Sequence, residues 1–509
     1  MISSLSSCKN VSENAELDEI QTAVPFSLTE QETHSEEETT SQSSAAIRTE
    51  ETTSKNITTS EKADETTATE AEAAEATEKA TETAVPTAEI SSASGTSYTE
   101  ETTAATIQTE SPAEPVAVTA VTTTSAAARE TAAAVYSSNS YSALNYKTQK
   151  GVWISYLEYG SIMTGKSSSS FRASISEYFD NIKSLDFNTV YVQVRAFGDA
   201  YYDSTLFPTG DKMTGTIDDD APFDPLEIMV EEAHRRGLSI HAWINPMRLM
   251  TDSQIKVISD SYTIEKWYND SDKNGKYIVK SGDRWYLNPA YSEVRKLIAD
   301  GIAEITANYD VDGIQIDDYF YPTTDSSFDE SAYTSSGTEK SLSQWRIDCV
   351  NSMVKKLCST VHNANSTVIF GISPQGSVDN NYSELYADVK TWCKSTDYCD
   401  YILPQVYFGF DNPALPYSDV IALWSSMTSS GNVKLVIGLA GYKIGAVDTY
   451  AGSGKNEWIN NSDILSRQIE LAETLSNYGG VAIFRYGSIF EPDSSVANQV
   501  QKELNNIKK

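Results

Sequence analysis

The sequence predicts a (β/α)8 barrel preceded by a long N-terminal segment that has no fold of its own. Short apolar runs alternate with amphipathic helical segments from residue 151 to the C-terminus, and eight such units occur. Strands that alternate with helices form parallel sheets with right-handed crossovers, and eight units close into a barrel. A doubly wound open sheet is the alternative, but it usually carries a glycine-rich phosphate loop after its first strand. The segment VWISYLEYG after Gly151 contains no such loop.

The eight candidate strands are short and rich in branched and aromatic residues, as buried parallel strands are. They lie at 151–157, 189–196, 239–245, 311–317, 368–374, 401–407, 434–441 and 480–486. Segments with apolar residues three or four positions apart separate them, which indicates helices. The candidate helices lie near 172–186, 225–237, 293–309, 344–362, 386–396, 417–429, 463–477 and 495–507.

The N-terminal segment differs from the rest in composition. Residues 1–140 hold 25 Asp and Glu against 6 Lys and Arg, and the remaining residues hold 47 against 32. Only Phe26, Tyr98 and Tyr136 of the 51 aromatic residues fall within 1–140, which is otherwise rich in Thr, Ser, Ala and Glu. Such a chain cannot bury enough apolar surface to offset its ordering entropy. We therefore predict a disordered acidic tether over residues 1–147 and a barrel over residues 148–509.

Residues Leu5-Ser6-Ser7-Cys8 have the form of a bacterial lipoprotein processing box, in which the cysteine becomes lipidated. The basic and apolar stretch that should precede such a box is missing, so either the match is accidental or the reading frame begins upstream. No run is long and apolar enough to span a bilayer. The other cysteines fit no zinc motif and are predicted to be isolated core thiols: Cys349, Cys358, Cys393 and Cys399.

Strand faces predict which side chains line the barrel axis. In the second strand Val190, Val192 and Val194 share one face, while Tyr191, Gln193 and Arg195 share the other. Strands 239–245 and 311–317 show the same division. If the aliphatic face meets the helices, the polar face ends at the barrel mouth, its C-terminal end. That mouth is predicted to hold Glu158, Arg195, Asn245, Asp317, Asp318, Gln375, Gln405, Tyr407, Lys443 and Arg485.

The segment VDGIQIDDYFYP at 311–322 carries the main chemical signal, because two adjacent carboxylates follow a buried strand. Glycoside hydrolysis requires two carboxyl groups, one to protonate the leaving oxygen and one to attack or activate water. Asp317 is the first candidate for the carboxylate that acts at the anomeric carbon. The second carboxyl is left open among Asp318, Asp199 and Glu158. An aspartate after a strand is otherwise most often a helix cap or loop anchor.

A polar cleft walled by aromatic rings suits sugars, whose hydroxyls need hydrogen-bonding partners and whose C–H faces stack on rings. The predicted substrate contacts are Arg195, Trp243, Asn245, Tyr319, Gln375, Gln405 and Tyr407. Core packing is the alternative for the aromatic members, and an ion pair with Asp317 or Asp199 is the alternative for Arg195. His234 and His241 lack zinc-hydrolase spacing and are predicted to be structural. We expect no metal and no other cofactor.

Six segments together resemble the glycosyl hydrolase-like 10 family of bacterial proteins, which is distinct from the family 10 xylanases. They are NTVYVQVRAFGDAYYDSTLFP, AHRRGLSIHAWINPMR, YLNPAYSEVR, VDGIQIDDYFYP, VIFGISPQG and DYILPQVYFGF. The resemblance runs from about residue 150 to about residue 490 and implies a glycosidase-related barrel.

The strand-four pattern Asp312-Gly313-x-x-x-Asp317 is also similar to the strand that carries the nucleophile in α-amylase-like enzymes, although Gln315 stands where those have arginine. It is similar as well to the chitinase DGxDxDxE strand. There Gln315 replaces an aspartate and Tyr319 stands at the catalytic glutamate, so the resemblance does not imply a substrate-assisted mechanism.

These observations favour an extracellular, cell-surface or secreted glycoside hydrolase that acts on a cell-wall or environmental glycan. The alternative is a barrel that binds cell-surface carbohydrate without cleaving it, since no glutamate stands at the ends of strands five and six. A metal-dependent deacetylase is disfavoured by the lack of histidine pairs. A net charge of −34 excludes nucleic acid as a favoured partner. We expect a monomer that meets the membrane only through a lipid at Cys8.

Overall fold

The computed structural model describes residues 140–428 and 432–508, which contain a closed parallel barrel. Three further strands form a separate antiparallel sheet in the order β4-β6-β5, and the others close the barrel in the order β1-β11-β10-β9-β8-β7-β3-β2. All eight predicted barrel strands are confirmed. The strands are β1 Gln149–Ile154, β2 Thr189–Arg195, β3 Ser239–Ile244, β4 Arg248–Thr251, β5 Ile278–Ser281, β6 Arg284–Leu287, β7 Gly313–Ile316, β8 Ile369–Ile372, β9 Tyr401–Ile402, β10 Lys434–Ala440 and β11 Tyr478–Phe484.

Helices connect these strands along the outside of the barrel. The segment predicted as a helix near 386–396 is helical only over Val389–Trp392, because Tyr386 adopts a left-handed backbone with φ 56°. The helices are α1 Tyr156–Ile162, α2 Ser168–Lys183, α3 Pro225–Arg235, α4 Asp252–Ile255, α5 Thr263–Asn269, α6 Ser292–Asn308, α7 Glu330–Ser336, α8 Leu342–Ala364, α9 Val378–Ser383, α10 Val389–Trp392, α11 Tyr417–Thr428, α12 Glu457–Asn460, α13 Ile464–Glu473, α14 Tyr486–Phe490 and α15 Ala497–Ile507.

The antiparallel sheet β4–β6 is an insertion between β3 and α6 that the sequence analysis did not predict. Each of its strands has only four residues, too few to show a period. Gly282, with φ 61°, occupies the turn of the β5–β6 hairpin, where a left-handed backbone favours glycine. The insertion starts directly after β3, so it lies at the mouth of the barrel.

Side chains fill the lower barrel interior, as the strand faces predicted. Tyr191, His241 and Tyr401 meet there, and His241 Nδ1 lies 2.8 Å from the Tyr401 hydroxyl. Glycines make room for these rings: a Cβ on Gly371 would lie 1.9 Å from Tyr401, and one on Gly313 would lie 2.6 Å from His241. Burial lowers the pKa of His241 to about 4, so its imidazole is neutral. The axis is therefore closed from below, which leaves the mouth as the place for a ligand.

Asp312 joins several segments at the N-terminal end of the barrel, opposite the mouth. It is fully buried, and its Oδ2 accepts hydrogen bonds from Ile240 N at 2.8 Å and from His234 Nε2 at 3.0 Å. Its Oδ1 accepts from the Tyr141 hydroxyl at 2.7 Å and from Leu144 N. The predicted boundary at residue 148 placed residues 140–147 in the tether. In the structure Tyr141 and Leu144 already contact the barrel through Asp312. Cys8 and the rest of the tether lie outside the described residues.

The four cysteines of the described residues are buried free thiols. Burial raises the pKa of Cys349, Cys358 and Cys393 to about 12, which makes these thiols unreactive. Within residues 140–428 and 432–508, no helix combines the length and apolarity of a bilayer-spanning segment.

Candidate active site

Asp317 lies at the bottom of the mouth, directly after β7. Its side chain is only 4% exposed, and its Oδ2 accepts a hydrogen bond from Trp243 Nε1 at 3.0 Å. Its Oδ1 accepts a longer bond of 3.3 Å from Tyr319 N. Trp243 comes from the neighbouring strand β3, whose residues 241–244 pair with β7. Two adjacent strands therefore fix the position of this carboxyl group.

Asp318 also turns into the mouth, because β7 ends at Ile316 and no longer imposes strict alternation. Its Oδ1 accepts a hydrogen bond from Gln405 Nε2 at 3.0 Å, and the side chain of Gln375 also bonds to it. Gln405 Nε2 further donates to the Ser373 carbonyl at 3.2 Å. Both glutamines were predicted to contact substrate; in the structure their amides bind Asp318.

Burial and mutual repulsion set the protonation of these two residues, which we call the carboxyl pair. Burial raises the pKa of Asp317 well above its ordinary value, and the neighbouring charge of Asp318 raises it further. Burial also raises the pKa of Asp318, but the amides of Gln405 and Gln375 oppose that shift. Because the two groups are coupled, the charge on one disfavours ionisation of the other. The pKa of Asp317 is the more strongly raised of the two.

Arg248 is the charged residue that the sequence analysis missed. It begins β4, and its guanidinium carbon lies 4.4 Å from the centroid of the Tyr319 ring. Its positive charge opposes the rise in pKa of both Asp317 and Asp318. The available signal was its place in INPMR, three residues beyond Asn245 at the end of a barrel strand.

Aromatic rings wall one side of the mouth around Phe484. The ring centroid of Phe484 lies 6.4 Å from Trp243, 5.9 Å from Tyr407 and 6.1 Å from Tyr442. Tyr407 and Tyr442 are partly exposed, so they present ring surface to the cleft. Tyr407 was predicted to lie at the mouth and both Trp243 and Tyr407 to contact substrate; in the structure both rings pack against Phe484. This wall gives the mouth an aromatic surface.

Glu158 is a structural residue and does not belong to the carboxyl pair. Its Oε2 accepts from Ser155 N at 2.8 Å and Ser155 Oγ at 2.7 Å, which forms a capping box at the start of α1. Its Oε1 accepts from Gly487 N at 3.0 Å and from Arg485 Nη1. Four donors saturate both oxygens, so this candidate has no oxygen left for a substrate. It joins the first and last units of the barrel.

Asp199 anchors a loop. Its Oδ1 accepts from Ala196 N at 2.9 Å and from Phe197 N at 2.8 Å, which fixes the turn after β2. Asn245 supports the same turn, because its Nδ2 donates to the Ala196 carbonyl at 3.0 Å. Both residues are buried. Asp199 was predicted to be catalytic and Asn245 to contact substrate. In the structure both residues hold the turn after β2 in place.

Arg195 lies outside the mouth, contrary to the prediction. The pairing of β2 with β3 shifts between Gln193 and Arg195, so the regular alternation of side chains breaks there. The Arg195 guanidinium carbon lies 4.3 Å from the ring centroid of Phe207. A Cβ on Gly301 would lie 2.2 Å from Arg195 Nη1. The side chain is therefore packed against α6, on the outside of the barrel.

The described residues contain no cluster of three or more His, Cys, Asp or Glu side chains that could hold a metal ion. The chemistry that this site offers within residues 140–428 and 432–508 is that of two coupled carboxyl groups beside an arginine and a wall of rings.

Solved glycosidases with similar folds include the catalytic domain of β-amylase from Paenibacillus polymyxa, with a TM-score of 0.46 and 11% identity over 71% of this chain and 98% of that one. Endo-1,4-β-mannanase from Rhizomucor miehei matches with a TM-score of 0.42 and 10% identity over 71% of this chain and 94% of that one.

Among characterised sequences, glycosyl hydrolase DigH from Escherichia coli K12 is 31% identical over 339 residues, which cover 62% of this chain and 76% of DigH. Glycosyl hydrolase YngK from Bacillus subtilis is 33% identical over 315 residues, which cover 58% of this chain and 60% of YngK. The family described as Glycosyl hydrolase-like 10 matches residues 148–453. This chain therefore belongs to the glycosyl hydrolase-like 10 family.

Proposed function

We propose that this protein hydrolyses glycosidic bonds of an extracellular or cell-wall glycan and that Asp317 and Asp318 carry the reaction. The observation that supports this most strongly is the carboxyl pair itself. Two adjacent carboxyl groups with raised pKa values, one buried and one half-buried, lie at the end of β7. Structural aspartates in this barrel, such as Asp312, accept several backbone or side-chain hydrogen bonds far from the mouth.

The environments of the two carboxyl groups suggest different roles. Burial and the charge of Asp318 raise the pKa of Asp317, which favours its protonated form and suits it to act as the general acid that protonates the leaving oxygen. Asp318 accepts amide hydrogen bonds, which favour its ionised form, so it acts on the anomeric carbon or on a water. This assignment reverses the order expected from sequence, which gave the anomeric carbon to Asp317.

The rings around Phe484 supply the surface on which the sugar would stack, with Tyr407 and Trp243 nearest to the carboxyl pair. Trp243 also donates a hydrogen bond to Asp317. The charges of Asp318 and Asp317 contribute to the raised pKa of Tyr407. Arg248 lies on the insertion sheet and moderates the negative charge of the pair. Together these groups would hold a sugar ring beside the acid and its partner.

The first experiment is a search for new reducing ends after incubation of the wild-type protein with a panel of bacterial cell-wall and environmental glycans. On a glycan that is cleaved, Asp317→Asn and Asp318→Asn should each lower kcat by several powers of ten without lowering the melting temperature. Asp199→Asn is the matched control, because it makes the same change in a buried loop anchor. Burial raises the pKa of Asp199 as well, and an asparagine oxygen still accepts from Ala196 N and Phe197 N, so this variant should not lower the melting temperature and should retain most activity.

An activated aryl glycoside of the same sugar then separates the two roles. Its leaving group needs no protonation, so a variant that lacks only the general acid regains much of its rate. We expect this recovery for Asp317→Asn and not for Asp318→Asn. Recovery by Asp318→Asn alone would reverse the assignment. Full activity of both variants on a cleaved glycan would exclude the carboxyl pair as the catalytic site.

A carbohydrate-binding barrel without hydrolysis is the second candidate. Its supporting observation is that Gln375 and Gln405 occupy the ends of the fifth and sixth strands, where many barrel glycosidases carry a glutamate. It predicts saturable binding of a glycan with no new reducing ends from any member of the panel.

We also propose that the protein is held at the cell surface by a lipid on Cys8. The support is the sequence Leu5-Ser6-Ser7-Cys8 in front of a long hydrophilic segment. Metabolic labelling with a clickable fatty acid in the native host should label the wild type and not Cys8→Ser. An unlabelled wild type would reduce the match to coincidence.

A further inference from the structure

Two arginines stack on one phenylalanine ring beside the carboxyl pair. The guanidinium carbon of Arg284 lies 4.0 Å from the ring centroid of Phe197, and that of Arg248 lies 4.9 Å from the same centroid. Phe197 belongs to the turn after β2, whereas both arginines come from the insertion sheet. Arg248 opposes Tyr286 in the pairing of β4 with β6, and Arg284 stands two residues before Tyr286. One face of the insertion sheet therefore presents both cations to the mouth.

This arrangement concentrates positive charge in an otherwise acidic protein. Both guanidinium carbons lie near one ring, so they are no more than about 9 Å apart. At that distance two like charges repel in a partly buried site. Within residues 140–428 and 432–508, Arg284 forms no salt bridge, and its buried Nε has no hydrogen-bond partner. The ring of Phe197 offsets part of the repulsion through its negative face.

The stacking leaves the Arg284 donors available. A guanidinium group that stacks on a ring uses its face, and its N–H groups point outward in the plane, where they match the oxygens of an anion. Arg248 lies over the ring of Tyr319, next to the carboxyl pair, and its positive charge is offset by those carboxyl groups. In the described part of the chain Arg284 forms no salt bridge, so no carboxylate there neutralises its charge. One positive charge thus remains at the rim of the mouth.

We propose that Arg284, with Arg248 beside it, binds an anionic group of the glycan, a carboxylate or a phosphate on a sugar close to the cleaved bond. This subsite rests on the proposed function, because it presumes that the substrate enters the mouth. It makes the enzyme selective for acidic over neutral glycans. The selectivity is set by the insertion sheet and not by the barrel strands.

The hydrolysis test uses a glycan that the wild type cleaves, in its native form and after chemical reduction of its carboxylates or enzymatic removal of its phosphates. Loss of a charge-assisted hydrogen bond should lower kcat/KM by about 10- to 100-fold. Arg284→Gln should lose that factor on the native glycan and nothing on the neutralised one. Arg467→Gln is the matched control, since Arg467 stacks on Phe410 at 4.6 Å in another part of the protein. It should leave both rates unchanged.

A binding test that needs no turnover separates this proposal from the proposed function. Saturation-transfer NMR with D-glucose, D-glucuronate and D-glucose 6-phosphate should give a signal for one or both anions that is lost in Arg284→Gln and kept in Arg467→Gln. That result supports the subsite even if no glycan is cleaved, and the responding anion identifies its preference. Equal cleavage of native and neutralised glycans, or an Arg284→Gln variant that binds and cleaves like the wild type, overturns the subsite and leaves the carboxyl pair intact. No anion signal and no cleavage overturns both.

Discussion

Replacing Asp312 should destabilise the barrel without affecting its chemistry, although Asp312 and Asp317 belong to one sequence motif. The Asp312 carboxylate is fully buried and accepts four hydrogen bonds, from Leu144 N, Ile240 N, Tyr141 and His234. In Asp312→Ala the phenol and imidazole can turn toward water, but the two backbone N–H groups cannot. An unsatisfied buried donor costs about 1–3 kcal/mol, so we expect a loss of about 4 kcal/mol.

The loss should be visible as a fall in melting temperature of roughly 5 °C, given the unfolding entropy of a domain of this size. Thermal and urea unfolding followed by circular dichroism would measure it. Asp400→Ala provides a graded control, because Asp400 accepts from one backbone group, Phe370 N at 2.7 Å, and from His362 Nε2 at 2.8 Å. It should lose about half as much stability. An Asp312→Ala variant that melts within about 1 °C of the wild type, or that loses no more stability than Asp400→Ala, would refute the reasoning.

Three further outcomes follow from buried charges. Burial raises the pKa of Asp317 in the folded protein, so the folded state is penalised at pH values where the unfolded chain ionises this residue. Asp317→Asn should therefore raise the melting temperature at pH 7. The gain should vanish below about pH 4, because Asp317 is then protonated in the unfolded chain as well. Gln405→Leu removes a hydrogen-bond donor that stabilises ionised Asp318, which should raise the pKa of Asp318. The acidic limb of the profile of kcat/KM against pH should therefore move to higher pH. An unchanged limb would contradict the role of Asp318 as the ionised group. Arg346→Met leaves buried Asp329 unpaired and should cost about 3–5 kcal/mol in chemical unfolding, part of which the added Asp329→Asn should restore.

The barrel could be predicted from the sequence because each strand is an apolar run bounded by turn residues, and because alternation assigns side chains to faces. That argument holds for Tyr191, His241 and Trp243, which point to the axis as expected. It fails where a strand ends or bulges. The register shift after Gln193 turns Arg195 toward α6, and the early end of β7 turns Asp318 into the mouth.

Other parts of the site depend on contacts between distant segments, which a single sequence does not show. Asp199 and Glu158 follow barrel strands, as catalytic residues often do, but their carboxylate oxygens accept hydrogen bonds from backbone N–H groups. Arg248 reaches the carboxyl pair because a sheet of three short strands folds back over the mouth. Gln405 bonds to Asp318 from the segment after β9, 87 residues further along the chain.

The attachment of residues 140–147 to the lower end of the barrel determines which way the enzyme would face. The chain enters the domain beside Asp312, at the end opposite the carboxyl pair. Anything joined to residue 140 therefore approaches from behind the active site. A carrier or solid surface attached at residue 140 would therefore leave access to the carboxyl pair open.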